Sequence, residues 1–138
     1  MTYCTQADLV REFGTVELVE LTDRADPPMG EIDAQRVAEA IATAAAEINV
    51  YLEGRYSLPL ASVPTVLRRV AVDMARYFLH VDIGEDHPVA QRYARQIKLL
   101  RGIADGTLSL GLDTAGAVQL PADTIQVAAG RNDWGANW

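Results

Sequence analysis

One cysteine, Cys4, occurs in 138 residues. That excludes an intrachain disulfide framework and a cysteine-built zinc site, and it fits a reducing compartment. The two histidines, His80 and His87, stand seven positions apart across an expected turn. They do not make the paired ligand of a helical metal site, and each reads as a surface or capping residue. No apolar run reaches the roughly 18 residues of a membrane span, and no basic start leads into an apolar stretch, so neither a membrane anchor nor a signal peptide is expected. A phosphate-binding glycine loop, a dinucleotide fingerprint and a nucleophile elbow are all missing. Ser57, Ser62 and Ser109 have no evident base. Glu47 and Asp73 are carboxylates that acid–base chemistry would need, but nothing in the sequence puts them beside a substrate pocket. The expectation is a protein that is not an enzyme, with no catalytic residues, no metal and no cofactor.

Basic charge is also scarce. Twelve basic residues face nineteen acidic ones, for a net charge of −7. Residues 1–33 hold eight acids and two bases, residues 34–106 eight acids and nine bases, and residues 107–138 three acids and one base. Arg92, Arg95, Lys98 and Arg101 come nearest to a basic stripe, but they read as spread around their helix. Wrapping a nucleic-acid backbone is therefore not expected.

What is present is a core-forming helical pattern, with 49% hydrophobic and 22% charged residues in a length that suits one domain. "TQADLVREFG" reads as a short helix capped by Thr5, with Asp8 at its third position and Gly14 as its stop. "TVELVELTD" allows one or two further turns, and "RADPPMGEI" is a loop. Asp33 caps a long helix to about Glu53, with Val37, Ile41, Ala44, Ala45, Ile48, Tyr51 and Leu52 on one stripe. A second long helix runs from about Pro64 to Val81, with Val66, Leu67, Val70, Met74, Tyr77, Phe78 and Val81 on a broad apolar face. Val72 and Leu79 point almost the opposite way, as a second apolar face for a neighbouring subunit or for the segment after Gly106. On the same helix Arg69 and Asp73 have the spacing of an i,i+4 ion pair. The last helix, Pro88 to about Ala104, buries Val89, Tyr93, Ile97, Leu100 and Ala104.

Two stretches break this pattern. In "YLEGRYSLPL", Tyr56, Leu58 and Leu60 have the bulk to plug the open end of a bundle, and Arg55 and Tyr56 are also candidate contacts for a partner. After Gly106 the chain turns poor in charge and rich in Gly and Ala. Leu108, Leu110 and Leu112 alternate, as do Ile125 and Val127, which reads as short extended pieces. Trp134 and Trp138 are candidate anchors on a neighbour. The fold class expected is mainly α: a bundle of about four helices over residues 1–106, followed by an extended C-terminal arm over residues 107–138.

Four segments in order carry a resemblance: "DLVREFG…ELTD", "AIATAAAEINVYLEGRYSLPL", "VPTVLRRVAVDMARYFL" and "YARQIKLLRGIADGTLSL". The series, over roughly residues 3–110, resembles a small family of Mu-like phages and prophages and, more widely, the head–tail connector or head-completion adaptors. The resemblance implies a helical adaptor, made in the host bacterial cytoplasm and placed in the neck of the virion. It would form a homo-oligomeric ring, dodecameric if it matches a portal, between the portal protein and a tail-side completion or terminator protein. DNA would pass through without sequence-specific binding, and no membrane is involved. An acidic ring fits that role, because repulsion lets DNA slide. The rival readings are a small helical regulatory module of a prophage, binding DNA or protein, and a small hydrolase, for which no site is recognisable.

Overall fold

The computed structural model describes residues 1–111. Over that span its regular elements are five helices: α1 (Gln6–Phe13), α2 (Thr15–Thr22), α3 (Ala34–Leu52), α4 (Thr65–Leu79) and α5 (Pro88–Ala104). The chain is mainly α, and the two short N-terminal segments form two separate helices. Leu112, Ile125, Val127, Trp134 and Trp138 lie outside the described residues.

The helix ends follow the local chemistry. The Thr5 hydroxyl accepts from the Asp8 amide at 3.2 Å, and the Asp8 carboxylate accepts from the Thr5 amide at 2.9 Å. This reciprocal box satisfies amides that a first turn leaves without helical partners. Gly14, at φ +89°, ends α1 in a conformation that side chains disfavour, and α2 begins at the next residue. Asp33 accepts from the amides of Gln35 and Arg36 at the start of α3. At α5 the cap is a histidine: His87 Nδ1 accepts from the Val89 amide at 3.1 Å.

α4 is the central helix. Leu67, Val70, Ala71, Val72, Asp73, Met74, Ala75 and Leu79 are all buried, so its buried surface, apolar except for Asp73, runs more than half of the way round. α3 makes the most extensive pairing with it, α5 packs on both, and α1 packs on α3 and α4. The small residues Ala40, Ala44 and Ala45 are on the buried face of α3, where they permit close approach.

Two sequence expectations fail at α4. Val72 and Leu79 are 2% and 6% exposed and belong to the core, not to an outward face. The same chain stands over this face: Val72 borders a small cavity together with Asp8, Arg11 and Glu12 of α1, and Leu79 one together with Leu21 of α2. A helix with two apolar faces, considered alone, cannot show whether the second is met by another subunit or by another part of its own chain. Conversely, Val66 and Val81, expected on the core face, are 39% and 75% exposed. Val81 lies beyond the end of α4.

Candidate functional site

The polar side chains sort into internal fasteners and outward patches. The first fastener joins α4 to α5. Asp73, with its side chain 2% exposed, accepts from Arg92 Nη2 at 3.0 Å and from Gln96 Nε2 at 2.6 Å. Beside it the Tyr93 ring stacks on Tyr77 with centroids 4.1 Å apart, and the Tyr93 hydroxyl donates to the Glu47 carboxylate of α3 at 3.0–3.1 Å. Burial and then the Glu47 carboxylate push the Tyr93 phenol well above the usual tyrosine range. Glu47 and Asp73 thus serve separate internal contacts. The expected Arg69–Asp73 pair does not form: Asp73 turns to α5, and Arg69 crosses to Glu12 of α1 at 2.6 Å.

The second fastener holds the α1–α2 hairpin on α4. Arg76 grips Glu17 with two hydrogen bonds, at 2.7 and 3.1 Å, and its guanidinium sits 4.1 Å from the Phe13 ring centroid. A bidentate geometry with a ring stacked on the same guanidinium suits arginine specifically. Nearer the N-terminus the Tyr3 hydroxyl donates to the Asn49 side chain of α3. Cys4 is buried beside Tyr3 in sequence; burial, then the nearby Asp8 charge, push its thiol up to about 12.

The third fastener lies in "YLEGRYSLPL". Tyr56 and Leu60 are 2% and 5% exposed, so the bulky linker plugs the bundle end as its composition suggests. Arg55 turns back on its own chain. Its Nη1 donates to the carbonyls of Ile103 at 2.7 Å and Leu108 at 3.1 Å, tying the last turn of α5 to the segment that follows. The Tyr56 hydroxyl accepts from the Leu110 amide at 3.3 Å, and the Leu108 amide bonds the Gly102 carbonyl at 2.9 Å. Leu108 and Leu110, which follow Gly106, are thus hydrogen-bonded to the helical body. Arg55 and Tyr56 meet their own chain where a partner contact was one of the two readings.

The outward patches are of opposite sign. On α5, Arg92 points in to Asp73, whereas Arg95, Lys98 and Arg101 are exposed. Three-residue steps keep these three within an arc of about 120°, so they form the stripe that the sequence reading, with Arg92 included, did not resolve. They border an open groove of about 640 Å³ whose apolar part is Leu99, Gly102 and Leu108 and which also carries Asp105 and Thr107. Among the described residues, none of the three takes part in an ion pair. At the other patch, Glu20 on α2 and Asp26 and Glu31 in the following loop are exposed and likewise take part in none of these pairs. Val16 on α2 and Met29 in the loop are also exposed, at 73% and 68%, and Met29 lines a cavity with Glu31. Asp23 shapes that loop by accepting from the amides of Ala25 and Gly30. His80 and His87 approach with ring centroids 5.5 Å apart, but His87 is committed to its cap. Among the described residues no group of three or more His, Cys, Asp or Glu side chains is placed to hold a metal, and no helix is long and apolar enough to cross a membrane.

Residues 3–129 match the family described as Bacteriophage Mu, Gp36. Among curated proteins, the chain is 38% identical over 112 residues to "Mu-like prophage FluMu protein gp36" of Haemophilus influenzae, covering 80% of this chain and 78% of that one. It is 30% identical over 131 residues to "Gene product J" of Escherichia phage Mu, covering 92% and 89%.

Proposed function

Since the chain belongs to the bacteriophage Mu Gp36 family, we propose that this phage protein is a structural head–tail connector subunit. It works by assembly and not by catalysis. Copies form a ring in the virion neck between the portal and the first tail-side component, and DNA crosses the ring without being read. The observation that carries this reading is the division of labour among charged side chains. The carboxylates best suited to chemistry, Asp73 and Glu47, are used within the fold. Many charges that take part in no ion pair among the described residues lie outside, among them the basic stripe of α5 and the acids of α2 and the loop after it, and exposed apolar residues occur in or near the same segments. Such surfaces suit recognition between folded partners. The ordered resemblance to head-completion adaptors supports the same assignment. Trp134 and Trp138 serve in this reading as anchors on an adjoining component.

The exposed Arg95, Lys98 and Arg101 stripe favours a second reading, a prophage regulatory module that binds nucleic acid. Three cations release few counterions, and the net charge of −7 opposes duplex approach, so the connector assignment is the better supported. The test is to tag the chain in its phage, purify particles, and locate the tag by electron microscopy. Label confined to the neck supports the assignment. Label absent from particles, with the protein recovered on phage DNA, overturns it in favour of regulation.

A further inference from the structure

We propose that the basic groove of α5 receives the acidic α2–loop patch of a second copy of this chain, joining copies head to tail. The inference rests on the connector reading and specifies which surfaces close the ring. Arg95, Lys98 and Arg101 border the groove, with Leu99 and Leu108 as its apolar floor. Leu108 stays 41% exposed although its amide is bonded to Gly102, so it is fixed in place and uncovered. The opposing patch has the matching composition: Glu20, Asp26 and Glu31 with Val16 and Met29. Arg24 and Arg36 are the bases near Met29 and Glu31, and Arg36 is paired with Asp33.

Both charge and geometry favour a second copy. Residues 1–33 hold eight acids against two bases, so the acidic patch belongs to a segment with a large excess of one sign. The three groove cations form no ion pair among the described residues, although Asp105 of the same chain lies on the groove itself and Glu85 shares a cavity with Arg95. The patches are also held on different flanks of α4. α1 and α2 are fixed through Arg69 and Arg76, and α5 through Asp73 and the Tyr77 stack. A single neighbour in a two-fold pair would have to reach both flanks at once. A neighbour on each side satisfies both, which is the heterologous contact that generates rings. The apolar residues provide the favourable burial, while the charges set orientation and exclude wrong pairings.

The experiment uses the full chain and two triple variants. One carries Arg95→Glu, Lys98→Glu and Arg101→Glu; the other carries Glu20→Lys, Asp26→Lys and Glu31→Lys. All six positions are exposed, and circular dichroism verifies that each variant folds. Native mass spectrometry and sedimentation at low salt are expected to show wild-type species larger than dimers. Each variant alone should associate about 100-fold more weakly or worse, since like charges then face each other. An equimolar mixture should recover assembly with the two variants in equal number, because every interface in an alternating ring is again complementary. Added salt should weaken wild-type and mixed assemblies alike. A wild-type chain that stays monomeric, a closed dimer, or variants that assemble as wild type would each overturn the proposal. A mixture that fails to assemble while wild type forms rings would reject this interface and leave the connector reading standing. Tight binding of a short duplex DNA, lost in the α5 variant, would assign the groove to nucleic acid and overturn the connector reading as well.

Discussion

Removing Arg92 should harm the fold more than removing the residue it pairs with. Asp73 has its side chain 2% exposed, while that of Arg92 is 37% exposed. In Arg92→Ala the carboxylate stays buried with Gln96 as its remaining side-chain partner in the network. Breaking a buried pair in this way costs about 3–5 kcal/mol. In Asp73→Ala the stranded guanidinium reaches water, and Gln96 is only half buried. That cost is about 2–3 kcal/mol for the lost charge-assisted hydrogen bond and its neutral companion, discounted for exposure. Replacing both residues with leucine should recover most of the larger loss, since an apolar pair can substitute for a buried ion pair at little net cost. Urea titrations of all four proteins, fitted with a common slope, measure the order directly. Thermal melts give a second reading, at about 4 °C per kcal/mol for a folded body of this size. If Arg92→Ala costs less than Asp73→Ala, or less than about 1 kcal/mol, Asp73 is not a desolvated charge held by Arg92 and the seam is misread.

Other perturbations test the remaining fasteners. Val72→Glu or Leu79→Glu should unfold the monomer, with a loss of more than about 4 kcal/mol for an unpaired buried charge; a folded monomer that merely fails to assemble would restore these residues to an outer face. Arg55→Ala should cost about 1–2 kcal/mol for the two carbonyl bonds it loses and speed amide exchange at Leu108 and Leu110. Truncation after Gly111 should leave a cooperative helical melt, whereas truncation after Gly106 should melt lower, because Leu108 and Leu110 are removed. The Asp8 carboxyl is buried, which alone would raise its pKa, but bonds from the Thr5 amide, Arg11 and the Thr5 hydroxyl hold it below its ordinary value. Its stabilising effect is therefore present above the unfolded-state carboxyl pKa and is lost as pH falls through the lower folded value. Asp8→Asn should flatten that part of the acid-unfolding curve and cost about 1 kcal/mol at neutral pH.

The helices were legible because their signals are local. Thr5 with Asp8, Asp33, and the glycines after Phe13 and Ala104 each act within a turn. The stripe of α3 also held, with Val37, Ile41, Ala44, Ala45, Ile48 and Leu52 all buried. What escaped the sequence was long-range pairing. Arg69 has an acid four residues ahead and chooses one on α1 instead; Asp73 is claimed by residues 19 and 23 positions later. Periodicity gave no means of knowing that the α1–α2 hairpin would cover Val72 and Leu79. The basic stripe was obscured for a related reason: Arg92 looks like its fourth member until its partner is known. Ile103, 1% exposed, was missed in favour of Ala104, one position on. A signal for Arg55 was available in retrospect, since a cation just beyond one helix can serve the carbonyl end of another, but the choice of α5 is a matter of topology.

Deleting the gene from its phage tests the connector assignment most directly. The assignment predicts that lysates then accumulate DNA-filled heads and separate, complete tails, with few joined particles. Supplying the wild-type chain should restore joining. Normal infectious particles from the deletion, or a block before heads form, would contradict it.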